Sequence, residues 1–112
     1  MSIPPAALLG AAILSEVMAT TALKASDGFT RLGPSLLAGL GYCISFYLLA
    51  QVMKSIPTGV VYAVWSGLGI VLISVVGWAV YGEKLDTAAV VGMAMIVAGV
   101  GVIQLFSKTA GH

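Results

Sequence analysis

Charged residues are scarce in this chain of 112 residues, and that scarcity decides its class. Only nine side chains carry a charge at neutral pH, which is 8% of the sequence, against about a quarter in ordinary soluble domains. A soluble domain of this size needs many polar side chains to cover its surface. Hydrophobic residues instead make up 60% of the chain. The composition predicts an integral membrane protein and excludes a soluble domain, a disordered chain and a nucleic-acid-binding protein.

Cysteine and histidine are equally scarce, which excludes several kinds of chemistry. Cys43 is the single cysteine, so it cannot form a disulfide within the chain, and His112 is the single histidine. The sequence also lacks a glycine-rich phosphate loop and a cluster of metal-ligating residues. We therefore expect no enzyme activity, no metal and no cofactor.

The few charges divide the chain into four long apolar segments. Residues 32–53, 55–82 and 87–107 hold no charge over 22, 28 and 21 residues, and residues 1–23 hold only Glu16. A helix needs about 20 apolar residues to cross a bilayer, and a spanning backbone must satisfy its own hydrogen bonds. The pattern predicts an all-α membrane protein with four transmembrane helices, near residues 4–23, 33–53, 58–81 and 87–106.

The connections between these spans are short, so we expect one four-span domain over residues 1–112. Asp86 or Thr87 is a suitable N-cap for the fourth span. The first segment has no positive leader region and no small-residue cleavage site, which favours a retained span over a signal peptide.

Lysine and arginine are divided almost evenly between the two predicted sides of the membrane. One side would hold Lys54, Lys108 and the amino terminus, and the other Lys24, Arg31 and Lys84. These residues normally set the orientation of a membrane protein. Their near balance leaves two interpretations open: insertion in both orientations, so that opposite copies can pair, or one orientation set by a weak bias.

Glu16 is an acid inside a span, where an ionised side chain is expensive. No lysine, arginine or histidine lies within any predicted span to neutralise it. One interpretation is a permanently protonated acid that forms a packing hydrogen bond. The other is a binding group that a proton and a cation compete for, because hydrocarbon favours the neutral acid and a cation favours the ionised one. The neighbours of Glu16 at helical spacing include Ala12, Ile13, Ala19 and Thr20.

Aromatic side chains supply a second feature inside the spans. The second span aligns Tyr42, Ser45 and Phe46 on one stripe, and the third span aligns Tyr62 and Trp65. Ordinary packing explains such a stripe, and an interfacial position explains Tyr62. Aromatic faces also attract desolvated organic cations, so beside Glu16 we favour a cation pocket.

Glycines in the third and fourth spans indicate movement and packing. Gly67 and Gly69 interrupt the third span near its middle and predict a hinge. Gly92 and Gly99 share one face of the fourth span, which favours a helix contact between two copies of the chain.

Motifs along the whole chain resemble the small multidrug resistance family. They are Glu16-Val-Met-Ala-Thr-Thr, Asp27-Gly-Phe-Thr-Arg31, Ile56-Pro-Thr-Gly59 and Tyr62-Ala-Val-Trp-Ser-Gly-Leu-Gly. The resemblance implies an antiparallel, dual-topology homodimer in a bacterial inner membrane. By alternating access it would exchange protons for hydrophobic or quaternary ammonium cations. Glu16 would be the shared proton and substrate site, with Tyr42, Tyr62 and Trp65 lining the pocket.

The resemblance also separates two subtypes of the family. Guanidinium exporters usually carry tryptophan at the position of Ala19, lack Tyr42, and have threonine at the position of Ser66. At all three positions the chain lacks the features of the guanidinium exporters and so resembles the multidrug subtype. Ala19 still differs from that subtype, which commonly has glycine at this position. The added methyl group is expected to narrow the pocket beside Glu16. A guanidinium or small-metabolite exporter is the alternative, followed by a non-transporting membrane subunit.

Overall fold

The computed structural model describes residues 3–108 of the chain as four α-helices. The helices are α1 (Pro5–Ala25), α2 (Leu32–Val52), α3 (Thr58–Tyr81) and α4 (Thr87–Phe106). Each helix is long and apolar enough to cross a membrane. The all-α class and the four spans are confirmed, and the protein is a multi-pass membrane protein. The amino terminus and His112 lie outside the described residues.

The described chain divides into two compact units, each built from two consecutive helices. Residues 3–52 contain α1 and α2, and residues 53–108 contain α3 and α4. In both units the connection between the helices is too short for a further domain. That the units together form one domain stays a prediction.

Local sequence explains where the helices of the second unit end and begin. Gly82 follows α3 with a left-handed backbone (φ 66°), and its N–H donates to the Trp78 carbonyl over 3.1 Å. Glycine adopts this conformation without the steric penalty of a side chain. Asp86 then caps α4, because its carboxylate accepts the Ala89 N–H at 2.9 Å. The predicted N-cap is confirmed at Asp86.

The first unit is held together by a close approach of α1 and α2. A Cβ placed on Gly41 would lie 2.8 Å from the Cβ of Ala19 and 3.2 Å from the Ser15 carbonyl oxygen. Only glycine fits there without moving a helix. The buried Ser45 hydroxyl also donates to the Ala12 carbonyl at 2.7 Å, which ties α2 to α1 through a polar contact. Small residues and such hydrogen bonds are typical of packing between membrane helices.

The second unit has a corresponding close contact between α3 and α4. A Cβ on Gly67 would collide with the side chain of Val100, which is the one buried residue of α4. The Ser74 hydroxyl lies 3.6 Å from the Met93 sulfur along the same pair of helices. Helix α3 runs through Gly67 and Gly69 without interruption, so the hinge at these glycines stays a prediction.

Candidate functional site

Glu16 is the centre of a polar cluster between α1 and α2. The Thr20 hydroxyl lies one turn further along α1 and donates to Glu16 Oε1 at 2.7 Å. The Tyr42 hydroxyl of α2 lies 2.7 Å from the same Thr20 oxygen. Three side chains from two helices therefore form one continuous chain of hydrogen bonds. All three side chains are only partly buried.

The number of protons on these groups fixes the direction of the hydrogen bonds. A threonine hydroxyl has one proton to donate and can accept through its lone pairs. Since Thr20 donates to Glu16, Tyr42 must donate to Thr20. This direction of the hydrogen bonds requires Glu16 to accept, and an ionised carboxylate can only accept hydrogen bonds. A protonated Glu16 can instead donate to Thr20, which would then donate to Tyr42, so the whole chain of bonds can reverse.

Four other residues predicted around Glu16 are deeply buried in the structure: Ala12, Ile13, Ala19 and Ser45. The Ser45 hydroxyl is used in the bond to the α1 backbone. The methyl group of Ala19 points toward Gly41 in the contact between α1 and α2. The Ala19 methyl group therefore helps to set the spacing between the helices, and its expected narrowing of the pocket beside Glu16 stays a prediction.

The aromatic residues form one ring pair in each unit. Tyr42 and Phe46 stack in α2 with ring centroids 6.1 Å apart, and more than half of the Phe46 surface is exposed. Tyr62 and Trp65 form a tilted pair in α3 with centroids 5.7 Å apart. The structure thus brings Tyr42 to the Glu16 cluster directly, and Tyr62 and Trp65 pair with each other within α3. That all three aromatic residues line one pocket stays a prediction.

The glycines predicted as packing points in α4 lie on an open surface. A Cβ on either Gly92 or Gly99 would meet no atom within 4 Å, and both residues are exposed. Their role in a contact between two copies stays a prediction.

Sequence reasoning identified the residues of the cluster but missed how they are connected. It placed Thr20 and Tyr42 in the lining of the pocket but did not predict that their hydroxyl groups meet. It also missed Gly41, the residue that allows α1 and α2 to approach. The proximity of Gly41 to Tyr42 in the sequence was the available signal. The sequence alone did not distinguish Gly41 from Gly39. A Cβ placed on Gly39 would have no atom within 4 Å.

Comparison with known proteins identifies the family of the chain. The family model described as Small Multidrug Resistance protein matches residues 6–96. The quaternary ammonium compound-resistance protein QacE of Escherichia coli is 55% identical over 101 residues, which cover 90% of this chain and 92% of QacE. The multidrug transporter EmrE of Escherichia coli K12 is 53% identical over 108 residues, covering 96% of this chain and 98% of EmrE.

A third relative comes from another organism. The multidrug transporter PA4990 of Pseudomonas aeruginosa is 56% identical over 104 residues, which cover 93% of this chain and 94% of that protein. These matches extend over nearly the full length of each protein. The chain belongs to the small multidrug resistance family.

Proposed function

We propose that this protein exports hydrophobic quaternary ammonium cations from bacteria in exchange for protons. The observation that carries the proposal is the intramembrane carboxylate of Glu16, which accepts a hydrogen bond from Thr20, whose oxygen in turn lies 2.7 Å from the Tyr42 hydroxyl. The names of three relatives with over 50% identity refer to quaternary ammonium resistance or multidrug transport. The protein would work in the inner membrane.

Competition at one carboxylate provides the coupling. A proton neutralises Glu16 and makes it tolerable in a low-dielectric span, whereas an organic cation stabilises the ionised form. Binding of a cation therefore expels the proton, and binding of a proton expels the cation. The reversible bonds through Thr20 would let the Tyr42 hydroxyl respond to the charge on Glu16. The aromatic faces of Tyr42, Tyr62 and Trp65 would contact the cation.

An antiparallel homodimer would give this exchange two openings. Helix α4 is almost entirely exposed in the single chain, and its exposed glycines leave room for a close helix contact. The balanced lysine and arginine residues are compatible with insertion in both orientations. Two opposite copies would then resemble the inverted repeats of larger transporters, which alternate access around a central site.

The dimer contact is testable with matched substitutions in α4. Gly92→Leu and Gly99→Leu are expected to lower the dimer fraction in detergent, measured by light scattering with detergent correction. Ala94→Leu adds the same side chain on another face of α4 and is the control. Dimers that persist in both glycine variants would contradict this contact, and a large ring would favour the non-transporting subunit.

Transport is testable in proteoliposomes with an imposed pH gradient. We expect uptake of benzyltrimethylammonium against its own gradient, and loss of that uptake in Glu16→Gln. Asp27→Asn removes an exposed acid from the loop after α1 and should leave uptake unchanged. Coupled uptake by Glu16→Gln would refute the proposal. Preferential uptake of guanidinium over the aromatic cation would instead support the guanidinium exporter.

A further inference from the structure

A cavity with mainly apolar walls and two charged side chains lies in the second unit, where α3 ends and α4 begins. Its volume is about 330 Å³, and its walls are Ser74, Trp78, Glu83, Lys84, Leu85 and Val90. We propose that this cavity binds the phosphoethanolamine headgroup of a membrane phospholipid. None of these residues belongs to the Glu16 cluster, so the site is separate from the proposed transport chemistry.

The backbone turn after α3 holds the Glu83 carboxylate at the cavity. The left-handed Gly82 reverses the chain, and the Glu83 N–H donates to the Gly77 carbonyl at 3.1 Å. The side chain of Glu83 consequently folds back along α3. A Cβ on Gly77 would lie 2.6 Å from Glu83 Oε1. The absence of a side chain at Gly77 is therefore what allows the carboxylate to lie against the helix.

The walls of the cavity match the parts of a phosphoethanolamine headgroup. Glu83 can accept hydrogen bonds from a primary ammonium group, and the adjacent Lys84 can donate to a phosphate. Trp78 is 64% exposed, and Leu85 and Val90 add apolar surface beside it. Tryptophan is favoured at the level of lipid headgroups, where one side of the ring is apolar and the other is wet.

Other ligands fit these walls less well. A cationic drug would gain from Glu83 and Trp78 but would approach the charge of Lys84. A phosphatidylglycerol headgroup offers a phosphate to Lys84 but carries no ammonium group to pair with the Glu83 carboxylate. Phosphatidylcholine carries an ammonium group without N–H donors. Because the cavity lies at the end of two membrane-spanning helices and has apolar walls, we commit to a lipid rather than free phosphoethanolamine as its occupant.

The test uses the fluorescence of Trp78 in the full chain carrying Trp65→Phe, which leaves Trp78 as the only tryptophan. The protein is placed in phosphatidylcholine vesicles that contain an equal mole fraction of one brominated phospholipid. Phosphatidylethanolamine, phosphatidylglycerol and phosphatidylcholine with the same brominated acyl chains are compared. We expect phosphatidylethanolamine to quench Trp78 about two- to fivefold more than the others, as a preference based on exposed charge pairs would give.

Two substitutions remove the carboxylate from the cavity in different ways. Glu83→Gln removes its charge, and Gly77→Ala displaces it while favouring the helix itself. Both should abolish the preference for phosphatidylethanolamine over phosphatidylcholine. Lys84→Gln should weaken quenching by both lipids, because both carry the phosphate. Asp27→Asn and Lys108→Gln remove equivalent charges elsewhere and should change nothing, and circular dichroism confirms that each variant keeps its helices.

Several results would overturn the proposal. These are equal quenching by the three lipids in the unsubstituted cavity, a preference for phosphatidylglycerol, or a preference for phosphatidylethanolamine that survives Glu83→Gln. Loss of the preference on adding millimolar soluble phosphoethanolamine would show that the free compound occupies the cavity. Loss on adding benzyltrimethylammonium instead would assign it to a cationic substrate. None of these outcomes depends on transport through Glu16.

Discussion

Gly41→Ala should disturb the functional cluster without changing any member of it. The new methyl would lie 2.8 Å from the Ala19 Cβ, whereas ordinary contacts of this kind begin at 3.4 Å. The helices α1 and α2 must therefore separate by at least about 0.6 Å at this level. Thr20 directly follows Ala19 in α1, and Tyr42 directly follows Gly41 in α2. The Thr20–Tyr42 hydroxyl distance of 2.7 Å would grow to about 3.3 Å, beyond the normal range for O–H···O bonds.

The expected cost of this overpacking is about 1–3 kcal/mol of folding free energy. It would be measured by unfolding the protein from mixed micelles with increasing SDS, followed by circular dichroism. Proton release on addition of benzyltrimethylammonium should fall in the same variant, because Tyr42 loses its hydrogen bond to Thr20, the neighbour of Glu16.

The double variant Ala19→Gly with Gly41→Ala provides the decisive control. It moves one methyl group from α1 to α2 and restores the space between them, so stability and proton release should both recover in part. Gly39→Ala adds a methyl in open space on the same helix and should be neutral. If Gly41→Ala is as stable and as active as the unsubstituted protein, the close approach of α1 and α2 is refuted.

Three further substitutions test separate contacts. Thr20→Val should lower coupled uptake and cost about 0.6 kcal/mol per lost bond, while Thr20→Ser keeps the hydroxyl and should retain most uptake. Gly67→Ala should destabilise the second unit by about 1–3 kcal/mol through its collision with Val100, and Gly59→Ala, in open space, should not. Asp86→Ala should cost about 1 kcal/mol at the start of α4. SDS unfolding measures all three losses, and unchanged midpoints would contradict these contacts.

The helices could be predicted from the sequence because a charged side chain is costly inside the hydrocarbon core of a bilayer. Lys24, Lys54 and Lys84 lie at or just beyond helix ends, and the intervening apolar runs have the length of a bilayer. The cost of burying a charge acts on each residue almost independently of its distant neighbours. Helix limits could therefore be predicted without knowing how the helices pack.

The contacts between helices could not be predicted in the same way. Whether Gly41 or Gly39 faces α1 depends on the rotation and register of α2. Both are glycines within the same apolar helix, so the sequence alone does not tell them apart. The same applies to the Thr20–Tyr42 bond, which joins residues 22 positions apart. The packing of Glu83 over Gly77 depends on the left-handed turn at Gly82. These features require the geometry of two elements at once.

Release of protons on substrate binding tests the shared role of Glu16 most directly. Purified protein in weakly buffered detergent is mixed with benzyltrimethylammonium, and the pH change is followed over a range of starting pH values. We predict proton release from the unsubstituted protein and from Asp27→Asn, and none from Glu16→Gln. Cation binding without proton release, or equal release from Glu16→Gln, would contradict competition between proton and cation at this carboxylate.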